Sequence, residues 1–128
     1  MPLLLDTHAF LWWLDGDPKL SARARTAISA DPTEVQVSAA TAWELATKAR
    51  IGKLPQALDV AADVAGCLAR EGFHPLSVTI EHGQRAGALP GPLRDPFDRM
   101  LIAQAILEDL RLVSIEHAFD AYGVLRLW

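Results

Sequence analysis

The chain has a single cysteine, Cys67, among 128 residues, so no disulfide can close within it. Cys67 lies in an Ala-rich helical stretch and is expected to be a small core residue of a protein in a reducing cytoplasm. No apolar run approaches the roughly 20 residues needed to cross a bilayer. The opening Met1-Pro2-Leu3-Leu4-Leu5 meets Asp6 at once, without a basic leader or a small-residue cleavage site, so it is not expected to be a signal peptide. His8, His74, His82 and His117 are scattered, and with one cysteine they form no pair at zinc-ligand spacing. A Gly-rich phosphate loop is missing, as is a G-x-S-x-G nucleophile elbow. There is no excess of positive charge. A net charge of −4 excludes a strongly basic, nonspecific nucleic-acid binder. It does not exclude an enzyme acting on nucleic acid, because bound cations offset the acids that hold them while arginines elsewhere meet phosphates.

About half the chain is hydrophobic, 51%, and the charge is spread out, which suits one compact domain spanning 1–128 with one sizeable core. Pro2 to Asp6 is expected to be a buried strand. Thr7 to Leu14 is expected to be a helix carrying Phe10, Leu11, Trp12, Trp13 and Leu14. Its apolar side is too wide for a surface helix, and two adjacent tryptophans are not expected to point into the same small core. Trp12 and Trp13 therefore either pack under a neighbouring helix or form a partner-binding surface, where tryptophan is enriched. Ser21 caps a helix over Ala22–Ala30, and Val35–Ser38 alternates as a strand. A helix follows from about Thr41 to Ile51, with Thr41-Ala42-Trp43-Glu44 matching a capping box and Glu44 paired with Lys48 four residues on. Pro55 to Arg70 is expected to be one long amphipathic helix on Leu58, Ala61, Ala62, Ala65 and Leu68. Further elements are a short extended piece at 73–76, a helix over 78–87, a proline-rich loop over 89–93, a strand at 112–114 and a last strand at 124–127. Strands alternating with helices predict an α/β fold with a mostly parallel sheet covered on both faces.

The chain is organised around Arg94-Asp95-Pro96-Phe97-Asp98-Arg99. Asp95 has the position of an N-cap and Pro96 that of the first helical residue. Leu101, Ile102 and Ala105 follow Asp98 at steps of three, four and seven, so the Asp98 carboxylate shares the apolar stripe. A charge aimed at the core needs a partner. Asp6 and Glu116 fall just past separate strands, where ligands gather in open α/β sheets. Asp95, Asp98 and Glu44 fall at or near first helical turns. Strand C-termini and helix N-termini share one edge of such a fold, so up to five carboxylates converge there. Asp6 could equally serve as a helix cap, and Glu44 is accounted for by its capping box or its lysine. Helix N-termini relieve about 0.3–1 kcal/mol of the repulsion each. The remainder calls for Mg²⁺ or Mn²⁺, hard cations that take oxygen ligands.

These residues also resemble the PIN-domain family and, within it, the VapC-type toxins of bacterial toxin–antitoxin pairs. The matching pieces are Leu4-Leu5-Asp6-Thr7-His8, Trp43-Glu44 with Lys53-Leu54, Arg94 to Arg99 with Ile102-Ala103-Gln104-Ala105, and Leu112-Val113-Ser114 with Phe119 to Val124. The Asp-Pro-Phe-Asp-Arg block is the most specific, and the pieces span the whole chain. The resemblance implies a metal-dependent endoribonuclease, an RNA substrate, a cognate VapB-type antitoxin that holds it inactive, and a homodimer. Carried over by position, the family acids fall on Asp6, Glu44, Asp98 with Asp95 close by, and Glu116. Asp6 and Asp98 are then expected to hold the principal Mg²⁺, with one or two ions in all. Glu44 ligates the metal through water or orients the attacking water, Glu116 supports a second ion, binding it through water or leaving it weakly held, Asp95 ligates metal or only caps its helix, and Ser114 helps hold a metal-bound water or simply ends its strand. The family pattern at the last position ends in aspartate, whereas here it runs Ser114-Ile115-Glu116, which moves the carboxylate out by one methylene. Arg94 and Arg99 flank the site and are expected to pair locally with the acids rather than meet phosphate.

Two other functions compete. A phospho-accepting receiver domain shares the length and the Mg²⁺-binding acids. It needs a lysine late in the chain and an acid pair after the first strand, and here no lysine follows Lys53. A PIN-like fold kept as a catalytically inactive RNA- or protein-binding module would bind metal without cutting RNA.

Overall fold

The computed structural model describes residues 1–128. Five strands form one wholly parallel sheet: β1 (Leu3–Leu5), β2 (Val35–Ser38), β3 (His74–Leu76), β4 (Arg111–Val113) and β5 (Arg126–Leu127), in the order β3-β2-β1-β4-β5. The chain moves outward from β1 through β2 to β3, then returns to the other side of β1 for β4 and β5. The order therefore reverses between β1 and β4, and the crevice outside their carboxyl ends is where such sheets bind ligands. The helices are α1 (Thr7–Asp15), α2 (Ala22–Ala30), α3 (Ala39–Arg50), α4 (Leu58–Ala62), α5 (Val64–Glu71), α6 (Ile80–Ala88) and α7 (Pro96–Leu107). None is long and apolar enough to cross a membrane.

Alternation along β1 builds two cores, because successive side chains leave opposite faces of a strand. Leu3 and Leu5 join Val35, Val37, Phe10, Ile28, Leu45 and Leu68 in the larger one. Leu4 joins Leu101, Ile102, Ala105, Leu112 and Phe119 in the smaller one, behind α7. Cys67 is buried in the larger core as a free thiol.

Three expectations are corrected. The segment 55–70 is not one helix. A 3₁₀ turn at Pro55–Ala57 leads into α4, and Asp63, with φ −151°, breaks the chain and caps α5 by accepting the Gly66 N–H at 2.9 Å. The break turns the buried face to Ala57, Cys67 and Leu68, whereas Leu58 is 52% exposed. The sequence signal was an Asp with a glycine three residues on, hidden inside an Ala-rich run. The Thr41–Glu44 capping box does not form either. α3 starts two residues earlier, capped by Ser38, whose hydroxyl accepts the Ala40 N–H at 2.9 Å, so Thr41 is already helical and buried. Finally, Trp12 and Trp13 both pack against the same larger core, at its rim and half-buried. Trp13 donates its indole N–H to Glu71 at 2.7 Å, and Trp12 stacks on His8 with ring centroids 5.4 Å apart.

Arg99 also departs from expectation, because it pairs with no acid. Its guanidinium donates to the backbone carbonyls of Ala86 (3.0 Å), Gly87 (3.4 Å), Leu89 and Leu93 (2.7 Å). These are carbonyls of the α6 C-terminus and the proline-rich loop, which lack the backbone N–H partners that a continuing helix would supply. A single planar fork with five N–H groups satisfies them together, and so sets the entry of the chain into α7. Bonds with a charged partner contribute roughly 1.5–3 kcal/mol each. Arg99→Ala should therefore lower unfolding stability by about 3 kcal/mol in urea titration. Arg99→Lys should recover only a minor part, since an ammonium cannot span the same acceptors. A lysine variant as stable as wild type would show that the fork geometry does not matter.

Candidate functional site

Five carboxylates predicted from sequence line one small pocket of about 80 Å³, together with Thr7, His8 and Lys48. The pocket sits at the carboxyl edge of the sheet. Asp6 closes β1 and caps α1, accepting the Ala9 N–H at 2.8 Å; the capping and site positions coincide in one residue. Glu116 follows β4 and opens the 3₁₀ turn His117–Tyr122. Its backbone N–H donates to Ser114 Oγ at 3.0 Å, so the buried Ser114 folds the loop back and fixes where Glu116 leaves the sheet. Asp95 caps α7 by accepting the N–H groups of Phe97 (2.8 Å) and Asp98 (3.1 Å). Its side chain is largely committed to that role and is exposed. Asp98 lies half-buried in the first turn of α7.

Glu44 is buried on α3. Thr7 donates its hydroxyl to Glu44 Oε1 at 2.6 Å, and Lys48 Nζ lies 2.5 Å from Oε2. Lys48 was legible as a helical ion pair, but its place in the pocket was not. Thr7 and His8 were quoted only as part of a motif; their position on the first turn after Asp6 is the signal that could have included them. Arg94 is exposed and does not line this pocket.

The charge imbalance perturbs two acids. Burial pushes the Asp6 carboxyl above its ordinary range, against the opposing pull of the Ser114 hydroxyl, the Ala9 amide and His8. Asp98 is raised from 3.8 to about 7, first by burial and then by Asp95, Glu44, Asp6 and Glu116. No hydrogen-bond donor offsets these four neighbours at Asp98. Perturbed acids in a cleft mark a functional site better than isolated acids do.

The pocket offers five carboxylates against a single imidazole, His8, a donor set dominated by oxygen that suits Mg²⁺ or Mn²⁺ better than zinc. The repelling carboxylates around Asp98 have an unmet need for positive charge, so the residues present fit a hard divalent cation. As they stand, no three of the side chains are close enough to form a ready-made coordination shell. Asp98 is the acid on the inner side of the pocket with no protein donor, and Asp6 beside it is held by neutral donors, the Ala9 amide and the Ser114 hydroxyl, with no ammonium on it. Glu44 is tied to Thr7 and Lys48.

The chain belongs to the PIN domain family, whose sequence profile matches residues 3–125. Solved structures agree in fold. The DNA-bound VapBC of Salmonella typhimurium is similar at TM-score 0.74 and 19% identity, covering 100% of this chain and 97% of that one. VapBC2 of Rickettsia felis, bound to a DNA fragment from its promoter, is similar at TM-score 0.72 and 15% identity, covering 99% and 98%. VapC20 of Mycobacterium tuberculosis, a Sarcin-Ricin loop cleaving toxin, is similar at TM-score 0.68 and 18% identity, covering 96% of each chain. No curated protein matches the sequence.

The raised Asp98 carboxyl makes stability depend on pH. The folded protein holds this proton more tightly than the unfolded chain, so unfolding releases it between the two pKa values. In EDTA, stability should fall as pH rises from about 4 to about 7 and level off above. Asp98→Asn should flatten that slope, leaving the contribution of Asp6, and should melt at or above the wild-type temperature at pH 8. Urea melts across this range decide it. A variant with an unchanged slope would show that Asp98 is not the strained group.

Proposed function

We propose that this protein is a VapC-type toxin, a metal-dependent endoribonuclease that hydrolyses RNA phosphodiester bonds and is restrained by a VapB-type antitoxin. The observation that carries this is the convergence of Asp6, Glu44, Asp95, Asp98 and Glu116 on one pocket at the switch point of a PIN-domain sheet. Resemblance to VapBC complexes and to a loop-cleaving toxin supports the same conclusion. Asp6 and Asp98 would hold a Mg²⁺ or Mn²⁺ ion, and Glu116 would support that ion or a second one. When bound there, such a cation would supply Lewis-acid activation of water and neutralise charge on the phosphate. Asp95 fixes the first turn of α7, and Ser114 fixes the loop carrying Glu116. Glu44 would orient the attacking water or meet the ion through a water.

The antitoxin would approach over His8, which lines both the acid pocket and an adjoining groove with Trp12, Lys19 and Leu54. Trp12 is placed there to meet a hydrophobic anchor, whereas Trp13 is engaged by Glu71 and Phe73. A homodimer and a cytoplasmic location accompany this assignment. The longer carboxylate at Glu116 favours one alternative, a PIN domain that binds metal and RNA or a protein partner without cutting.

Purified, antitoxin-free protein should cut RNA in Mg²⁺ or Mn²⁺ and lose that activity in excess EDTA. Cleavage that persists in EDTA would sink the metal mechanism, and metal binding without cleavage would select the inactive module. Asp98→Asn should abolish nearly all cleavage and lose the Mg²⁺-induced rise in melting temperature that wild type gains by linkage. Asp95→Ala should do the opposite, costing about 1 kcal/mol of stability as a lost cap while keeping substantial activity.

At Glu116, alanine should lower the cleavage rate and aspartate should preserve or raise it, because the shorter carboxylate restores the family's usual side chain. Full activity in Glu116→Ala would remove this acid from the site.

A further inference from the structure

Lys48 is the one ammonium among the groups lining the acid pocket. Its Nζ lies 2.5 Å from Glu44 Oε2, with the lysine side chain 34% and the glutamate 7% exposed. An exposed pair at this helical spacing contributes little, but here one partner is buried and faces four more carboxylates. The other Glu44 oxygen is also taken, by the Thr7 hydroxyl at 2.6 Å. A hydroxyl has one proton to give, so the Thr41 hydroxyl, 3.4 Å from that of Thr7, is the donor in that contact. Glu44 is flanked on one side by the buried Thr7 hydroxyl, with Thr41 in a longer contact behind it, and on the other by Lys48. Both Glu44 oxygens are thus held by the protein. Asp98, across the same pocket, has no comparable donor.

We infer that Lys48 is a positioning residue of the acid site: it keeps Glu44 off the divalent cation, which sits on Asp6 and Asp98, and so leaves Glu44 free to orient the attacking water. This rests on the nuclease reading above. The physical reason is competition between two cations. To ligate the metal directly, Glu44 must leave an ammonium that already neutralises it. The ammonium in turn repels a divalent ion in the same pocket. Lys48 therefore weakens metal binding while preserving the geometry that cleavage needs. Any ammonium in this pocket weakens metal binding, so tighter Mn²⁺ binding on its removal is expected of a mere neighbour too; what positioning alone predicts is slower cleavage at saturating Mn²⁺ and saturating RNA.

The test is Mn²⁺ titration of the full chain, followed by electron paramagnetic resonance without RNA, beside RNA cleavage at saturating Mn²⁺ and saturating RNA. Lys48→Met keeps the aliphatic stem and removes the charge. It should bind Mn²⁺ more tightly, by roughly threefold or more, yet cleave more slowly than wild type even at saturation. Lys48→Arg keeps the charge and should return the affinity toward the wild-type value. Lys48→Gln gives the same measurement if the methionine variant does not fold. Wild type that binds Mn²⁺ and cuts RNA, beside neutral variants with unchanged or weaker Mn²⁺ affinity or with wild-type cleavage at saturation, overturns the role of Lys48 alone. Wild type that takes up no Mn²⁺ overturns the nuclease reading, and this inference with it.

Discussion

Two carboxylates 4 Å apart repel by roughly 4 kcal/mol at an effective dielectric of about 20. The pocket at the carboxyl edge of the sheet gathers five carboxylates, with one ammonium and one imidazole among its lining groups. Much of the local structure answers that imbalance. Asp6 and Asp95 sit on helix N-termini, where backbone N–H groups and the helix dipole favour negative charge. Ser114 and Ala9 oppose the burial of Asp6. Thr7 and Lys48 divide Glu44 between them. Asp98 is left over, and its carboxyl stands near neutrality in consequence. Local packing does not favour such an arrangement, so the acids are best explained by a ligand that supplies the missing charge.

The two walls of the cleft are attached in different ways. The wall formed by β1, α1 and α3 belongs to the larger hydrophobic cluster, with Phe10 and Leu45 fully buried beneath it. The opposite wall, α7, sits on the smaller cluster and relies more on polar links. His82, almost completely buried, accepts the Thr79 N–H at Nδ1, which leaves Nε2 to donate to Glu108 at 2.9 Å. That pair ties the start of α6 to the end of α7, and Arg99 ties the end of α6 to the start of α7. The α6 and α7 helices therefore carry Asp95 and Asp98 as a clamped unit.

How much of this could be read from the residues varied with the range of the interaction that decides each feature. Asp95-Pro96 specified a cap and a first turn within three residues, and the structure places them as expected. Val35–Ser38 alternated cleanly, and its ends are the observed ones. The parallel, doubly covered sheet followed from the alternation of strands and helices. Convergence of the acids was legible because strand and helix ends share one edge in such a fold. The failures lie where two local signals competed. Ser38 and Thr41 are both good caps, and only the packing of α3 on the sheet, which buries Thr41, selects the first. The helical run over 55–70 had strong propensity throughout, and the break at Asp63 comes from wrapping the segment onto the larger core. Arg99 was misassigned because its acceptors are backbone carbonyls of a loop, which leave no trace in residue types.

Lys48 belongs to a subtler class. Its helical spacing from Glu44 was visible, and that spacing sufficed to explain it. What spacing cannot convey is that the same ammonium looks into a pocket shared with four other acids. A surface ion pair and a counter-cation in an active site have the same sequence pattern and differ only in what surrounds them. Here the buried Thr7 hydroxyl on the other Glu44 oxygen and the unanswered Asp98 across the pocket favour the second. The site is asymmetric before any cation arrives: one carboxylate is neutralised from within, and another is left strained. On the proposed reading, a divalent ion would gain most by settling away from Lys48, toward Asp98 and its neighbour Asp6. Where that ion would sit is then biased by where the protein has already placed its own positive charge.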